Sequence, residues 1–245
     1  MEALQEAESA IATSKKSLFV TLDMGGLHSR SPTAHKWKAP YRSLQMREVV
    51  HWRVTDLLEQ ALALHKQGHG LGARILLRSA LETLVVLIYL NQQMTNVLDG
   101  KLSFFKFDTV TTKLVLGSKD DSTGIGAVHI MDVIRSSSKK YDFIEEMYGA
   151  LSESAHPNYE GMSAGYTRID HKADTVEFCD RWMERYGTGF PHYVMLCLKI
   201  FHHEYNEVWC AQFEQLEKWL EANDTQLEAE RAAAKENEAA VAKVP

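Results

Sequence analysis

The run LGARILLRSALETLVVLIYLN, residues 71–91, decides the fold. Apart from Arg74, Arg78, Ser79, Glu82 and Thr83 it is almost uniformly apolar. A helix that is apolar nearly all round has to be enclosed by other elements, so this one is expected at the centre of a helical bundle. Each polar side chain carried into that centre then needs a partner, because an unpaired buried polar group is costly.

The flanking segments supply the enclosure. Between Leu44 and Lys66, residues Val49, Val50, Trp52, Val54, Leu57, Leu58, Ala61, Leu62 and Leu64 recur at threes and fours, the spacing of an amphipathic helix that Gly68 and Gly70 end. Helical patterns follow at 101–116, 128–137 and 139–155, with a loop through Gly117, Asp120, Asp121, Gly124 and Gly126. Residues 162–169 and 175–178 alternate polar and apolar side chains around Asp170-His171-Lys172-Ala173-Asp174, as a short hairpin does. Pro191 suits the first turn of a last long helix to about Glu221. The expected class is all-α in the main, a helical bundle with a small β-hairpin near 162–178. Residues 1–43, with Gly25-Gly26, Pro32 and Pro40, read as a largely irregular arm after a short helix at 2–13. Residues 44–222 form the bundle domain, and 223–245 a charged Ala/Glu-rich tail.

Composition narrows the function. The 245 residues carry a formal charge of -6, which gives no global attraction to a phosphate backbone. A local basic stretch does exist, with Lys15, Lys16, Arg30, Lys36, Lys38, Arg42, Arg47 and Arg53 interleaved with aromatic and histidine side chains. Cys179, Cys197 and Cys210 match neither a disulfide framework nor a paired zinc motif and read as thiols of a reducing compartment. The amino terminus lacks the pattern of a signal peptide, and the longest apolar run, Leu84–Leu90, is far too short to span a bilayer. A cytoplasmic protein without membrane association is expected, and no motif implies a cofactor.

Two polar stripes make the candidate site. Arg74, Arg78 and Glu82 are four apart on the central helix, and Tyr148, Ser152 and His156 are four apart on the helix that must stop before Pro157. His156 therefore sits at a helix carboxyl end, where a protonated imidazole is favoured. If the stripes face each other, Glu82 would orient His156, Arg78 would supply a fixed positive charge, and Ser152, Tyr148 and Asn158 would donate hydrogen bonds. Such a group could hold an anion or cleave a phosphodiester, with His156, Arg78, Glu82 and Tyr148 as catalytic residues and Arg74, Ser152 and Asn158 as binding residues. The alternative is a structural network that pairs an arginine and a glutamate obliged to enter the bundle.

The pairing of residues 72–82, GARILLRSALE, with residues 148–157, YGALSESAHP, resembles helical bacterial proteins of the HEPN superfamily across about 44–215. That resemblance implies a dimeric helical bundle of toxin–antitoxin or antiphage systems that binds or cuts RNA without a metal. The family's Arg-x(4 to 6)-His motif is missing at His156, where the preceding arginine is Arg135. Arg30 to His35 and Arg185 to His192 fit the spacing but contain proline, so neither reads as one continuous helix. The family reading supports the fold more than the activity.

Two further classes stay open. One is a non-catalytic interaction module that meets a protein partner through the amino-terminal arm or the acidic tail. The other is a dimetal bundle, since Glu48-x-x-His51 and Glu153-x-x-His156 have the required spacing and Glu82 with Glu204 or Glu207 would complete the ligand set. His203 and Glu207 lack the second histidine of a metalloprotease motif.

Overall fold

A computed structural model describes residues 2–120 and 122–241, with side chains as far as 236; Asp121 of the expected loop and the last four residues of the tail lie outside the described residues. The fold is mainly α-helical with one two-stranded antiparallel hairpin. The helices are α1 (Glu2–Lys16), α2 (Met24–Arg30), α3 (Pro32–His35), α4 (Lys38–Lys66), α5 (Gly70–Leu98), α6 (Phe104–Leu116), α7 (Ile130–Ser138), α8 (Phe143–Ala155), α9 (Trp182–Tyr186), α10 (Phe190–His203) and α11 (Trp209–Val241). Among the described residues no helix is long and apolar enough to cross a membrane.

The apolar run at 71–91 lies inside α5, which touches α4, α6, α7, α8, α9, α10 and α11. Ala73, Leu77, Ala80, Leu84, Val85, Leu87, Ile88 and Leu90 are wholly buried. Burying each leucine or isoleucine contributes about 1.5–3 kcal/mol, so this one helix anchors the core. The turn from α4 into α5 needs Gly68, whose φ of 83° lies in the left-handed region. There the His69 N–H donates to the Leu64 carbonyl and the Gly68 N–H to the His65 carbonyl, closing the end of α4. The helix α5 runs on past Asn91 to Leu98, because Gln92–Leu98 contains no helix breaker even though its apolar pattern fades.

The amino-terminal arm is mostly helical rather than irregular. Its prolines sit where helices tolerate them, Pro32 at the first position of α3 and Pro40 in the first turn of α4. Ala7, Ile11, Ala34 and Trp37 are buried. The tail is taken up as well, since α11 continues to Val241 and Leu227 is buried. Arm and tail hold each other: the Trp37 indole Nε1 donates to Asp224 at 3.0 Å, and Glu217 accepts from His35 Nε2 at 2.8 Å and Arg30 Nη2 at 2.7 Å. Part of each segment expected to meet a partner protein is thus held by the chain itself, while residues 18–30 and 228–236 stay largely exposed.

Helix α8 stops at Ala155, and His156 is extended with φ -93° and ψ 146°, as the following proline requires. A π-helical turn, Tyr159–Ala164, occupies the expected start of the hairpin. Strands β1 (Thr167–Asp170) and β2 (Thr175–Phe178) follow, with Ile169 opposite Val176 and Arg168 opposite Glu177. A second π-helical turn, Glu204–Val208, separates α10 from α11.

Replacing Glu217 by Ala leaves the buried His35 and its partner Arg30 without an acceptor and is expected to lower unfolding stability by about 1–3 kcal/mol in urea titration. Glu214→Ala on the exposed side of the same helix is expected to change it by no more than about 0.5 kcal/mol.

Candidate functional site

Helices α5 and α8 run antiparallel, and that register decides which stripe residues meet. Arg74 Nε donates to Ser154 Oγ at 2.7 Å and its Nη2 to the Ala150 carbonyl at 2.9 Å. One turn on, Arg78 Nη2 donates to the Tyr148 hydroxyl at 2.8 Å and pairs with Glu82 at 3.1 Å. Rising along α5 therefore means descending along α8, away from His156. Glu82 lies eight residues beyond Arg74, about 12 Å along the axis, while His156 lies past Ser154 at the other end. Among the described residues no hydrogen bond or ion pair joins Glu82 to His156. The expected orientation of His156 by Glu82 is not formed, and the reason is the antiparallel register.

His156 is instead exposed, beside the π-helical turn. Its carbonyl accepts from the Asn158 N–H at 2.9 Å, and a Cβ on Gly161 would lie 2.0 Å from that oxygen, so only glycine fits there. Asn158 caps the turn through the Gly161 N–H at 3.0 Å rather than reaching toward Arg78. Ser152 Oγ is buried without a partner among the described residues. Of the seven site residues expected from the sequence, Arg78, Glu82 and Tyr148 form one contact group, Arg74 belongs to a second, and Ser152, His156 and Asn158 join neither.

The second group was not legible in the stripes. Arg74 is buried, and its guanidinium carbon stacks 3.8 Å from the centre of the Tyr186 ring. Burial pushes the Arg74 pKa down from the ordinary guanidinium value, and Tyr186 and Glu160 pull it the other way. Glu160 accepts a hydrogen bond from the Tyr186 hydroxyl and pairs with Arg185 at 2.8 Å. Burial raises the Glu160 pKa, but those two donors outweigh it and hold the carboxyl below its usual range. Two cations thus face one carboxylate and an aromatic ring: Arg185 pairs with Glu160, and Arg74 is held by Ser154, the Ala150 carbonyl and the Tyr186 ring. Tyr186 and Glu160 come from segments 26 residues apart, which no helical spacing could reveal.

Much of the basic amino-terminal stretch is paired too, though among the described residues Lys16, Lys38 and Arg53 form no ion pair and Arg53 donates to Thr83. Lys15 faces Glu59, Lys36 faces Asp224, Arg42 faces Asp108 and Arg47 faces Glu48, at 2.6–2.9 Å. The residues of the dimetal reading are dispersed. Glu48 accepts from Tyr205 at 2.8 Å, Glu204 pairs with Lys140 at 2.6 Å, and the buried His51 Nε2 lies 3.1 Å from Ser14 Oγ. Among the described residues no three acidic, histidine or cysteine side chains are grouped to hold a metal ion. His51 packs between Phe201 and Tyr205, with ring centroids 5.0 and 4.7 Å away.

Compared with family models, with curated proteins and with solved structures, the chain has no significant match.

Burial lowers the His51 pKa to about 4, from about 6.5 in an unfolded chain. Between those values the unfolded chain binds the extra proton, so stability is expected to fall as pH drops from 6.5 toward 4. The slope from this one group is at most about 1.4 kcal/mol per pH unit. His51→Gln should remove that part of the slope between pH 6.5 and 4.5 in urea melts, and an identical slope in the variant would show that His51 is not the group concerned.

Proposed function

We propose that this chain is a non-catalytic interaction module whose docking face is the apolar side of the hairpin, and that the surface it meets is the same face of a second copy. The observation that carries this reading is an apolar sheet side left in water. Ile169 and Val176 are direct cross-strand partners, and Thr167 and Phe178 share their side. Ile169, Val176 and Phe178 are 58%, 51% and 83% exposed. The polar side is also exposed; there Arg168 pairs with Glu177 across the strands at 3.2 Å and with Glu184 of α9 at 2.7 Å. A two-stranded hairpin with its apolar side in water gains little from burial and is marginal alone. Covering that side by an identical one supplies the missing burial.

A two-fold axis lets the face be its own complement, with Ile169 and Val176 packing against their counterparts. The hairpin side chains alone fall short of the roughly 800 Å² per partner of a stable interface. The proposed interface therefore also draws on Tyr159 and Met162 of the preceding segment, which are exposed. Homodimerisation also agrees with what the HEPN resemblance of residues 72–82 and 148–157 implies. In a toxin–antitoxin or antiphage setting such a module would hold a partner rather than cut RNA. The separation of His156 from Glu82 and Arg78, and the pairing of the basic stretch with carboxylates, weigh against cleavage.

Light scattering behind size exclusion is expected to give twice the chain mass for the wild type and one chain mass for the Val176→Asp, Phe178→Asp double variant, with similar helix content by circular dichroism. A monomeric wild type would overturn the docking reading. Incubation with a mixed RNA pool in EDTA is expected to leave the RNA intact; cleavage that disappears in His156→Ala would replace this reading with the nuclease one.

A further inference from the structure

An open cavity of about 330 Å³ lies between α4, α5, α6 and α7, closed at one end by the 117–128 loop. None of its lining residues belongs to the hairpin or to the Tyr159–Ala164 turn.

Its walls are aliphatic. Val49, Val86, Leu114, Val128 and Ile130 line it, and each keeps part of its surface accessible. The last four also pack against the main core, so the walls are held in place. Among the described residues no aromatic side chain lines the cavity, which therefore offers no flat face for stacking a base or a ring.

The polar groups at the cavity are few, and the charged ones are open to water. Arg53 of α4 and Lys113 of α6 both line it and are exposed, and among the described residues neither forms an ion pair. Arg53 is anchored all the same. Its Nε donates to Thr83 Oγ1 at 3.1 Å, and that hydroxyl gives its own proton to the Ser79 carbonyl at 2.8 Å. Thr83 can then only accept from Arg53, and both terminal nitrogens of the guanidinium fork are left without a protein partner among the described residues. Glu82 is the one carboxylate among the lining residues, and Arg78 pairs with it at 3.1 Å. With Glu82 offset in this way, Arg53 and Lys113 leave the cavity two positive charges in excess.

A free inorganic anion would answer the charge and leave the aliphatic walls in water. An uncharged hydrocarbon would do the reverse. A molecule with a hydrocarbon body and an anionic head answers both, since ligand clefts combine mostly apolar walls with a few placed polar groups. Glu82 in the wall disfavours a doubly charged phosphate head over a singly charged one. The volume lies at the lower edge of small-ligand clefts, roughly 300 Å³, which leaves no room for a long acyl chain. We infer that this cavity binds an aliphatic carboxylate of medium chain length, its head on the Arg53 fork beside Lys113 and its chain along Val86, Leu114, Val128 and Ile130.

The test is isothermal titration of the full chain with octanoate, octanol, octylamine and octyl phosphate. Octanoate is expected to saturate a single site, with octanol and octylamine about tenfold weaker or more. Arg53→Met keeps an aliphatic stem and removes the fork. It is expected to weaken octanoate binding about tenfold while melting like the wild type, because the side chain is exposed, and Arg53→Lys should recover part of the loss. The apolar hairpin could also take up an amphiphile, so the Val176→Asp, Phe178→Asp double variant serves as the control and is expected to bind octanoate as the wild type does. Absence of saturable binding, octanol as tight as octanoate, octyl phosphate tighter than octanoate, or unchanged affinity when Arg53→Met and Lys113→Met are combined would each overturn the assignment. Loss of binding in the hairpin variant would overturn it too, whether or not the hairpin is the docking face.

Discussion

The enclosure of α5 by seven other helices is the constraint from which the rest of the structure follows. Largely surrounded, it hands few of its polar side chains wholly to water, and most are answered by different neighbours. Arg74 is answered by Ser154 and Tyr186, Arg78 by Tyr148, Thr83 by Arg53 and Asn91 by Glu204. Gln92 is held by Ser136, and Thr95 by Gln212. These bonds act as rivets at successive levels of one rod, and each fixes the register of the element it reaches. Losing one partner is costly where the survivor is buried, which sets Arg74 apart from the half-exposed Arg78. An apolar side chain in place of Arg74 would spare the desolvation cost but lose the specification of where α8 stops sliding.

How much of this could be read from the sequence depends on the range of the interaction. The α5 run, the α4 stripe, the stop before Pro157 and the hairpin at 170–174 are local patterns, and all are present at nearly the expected places. The amino-terminal arm was misread because Pro32 and Pro40 look like breakers when counted by type, while their effect depends on position within the first turn. The contact of the tail to Trp37 spans 187 residues, beyond the reach of any local pattern. The stripe argument placed Arg74, Arg78 and Tyr148 correctly on helix faces but could not give the sense of the α5–α8 packing. That single sign moved His156 from the Glu82 end of the stripe to the opposite one.

The two π-helical turns show how local irregularity serves long-range pairing. Each widens the backbone by one residue and leaves carbonyls open to side chains from elsewhere. In the second, the Tyr205 carbonyl takes Arg47, whose guanidinium stacks 3.5 Å from the centre of the Tyr205 ring and 4.5 Å from that of Trp209. The turn thereby ties α4 to the junction of α10 and α11, and the same turn directs Glu204 at α5. In the first, the extended His156 and the tight approach of Gly161 lead the chain off α8 and into the hairpin. No hydropathy pattern marks either turn.

Charge balance links these features to recognition. Nearly every buried or half-buried ion in the bundle meets its opposite within the chain, which leaves little field to steer a polyanion. A surface feature without an internal answer is the apolar outward side of the hairpin. An apolar face gains from burial irrespective of ionic strength, whereas a phosphate-binding face would weaken steeply with salt. Hydrophobic docking at Phe178 should therefore persist at high salt and strengthen with sulfate, which is excluded from protein surfaces. Salt thus separates the two ways this bundle could meet another molecule, since attraction through its arginines would be screened while contact through its hairpin would not.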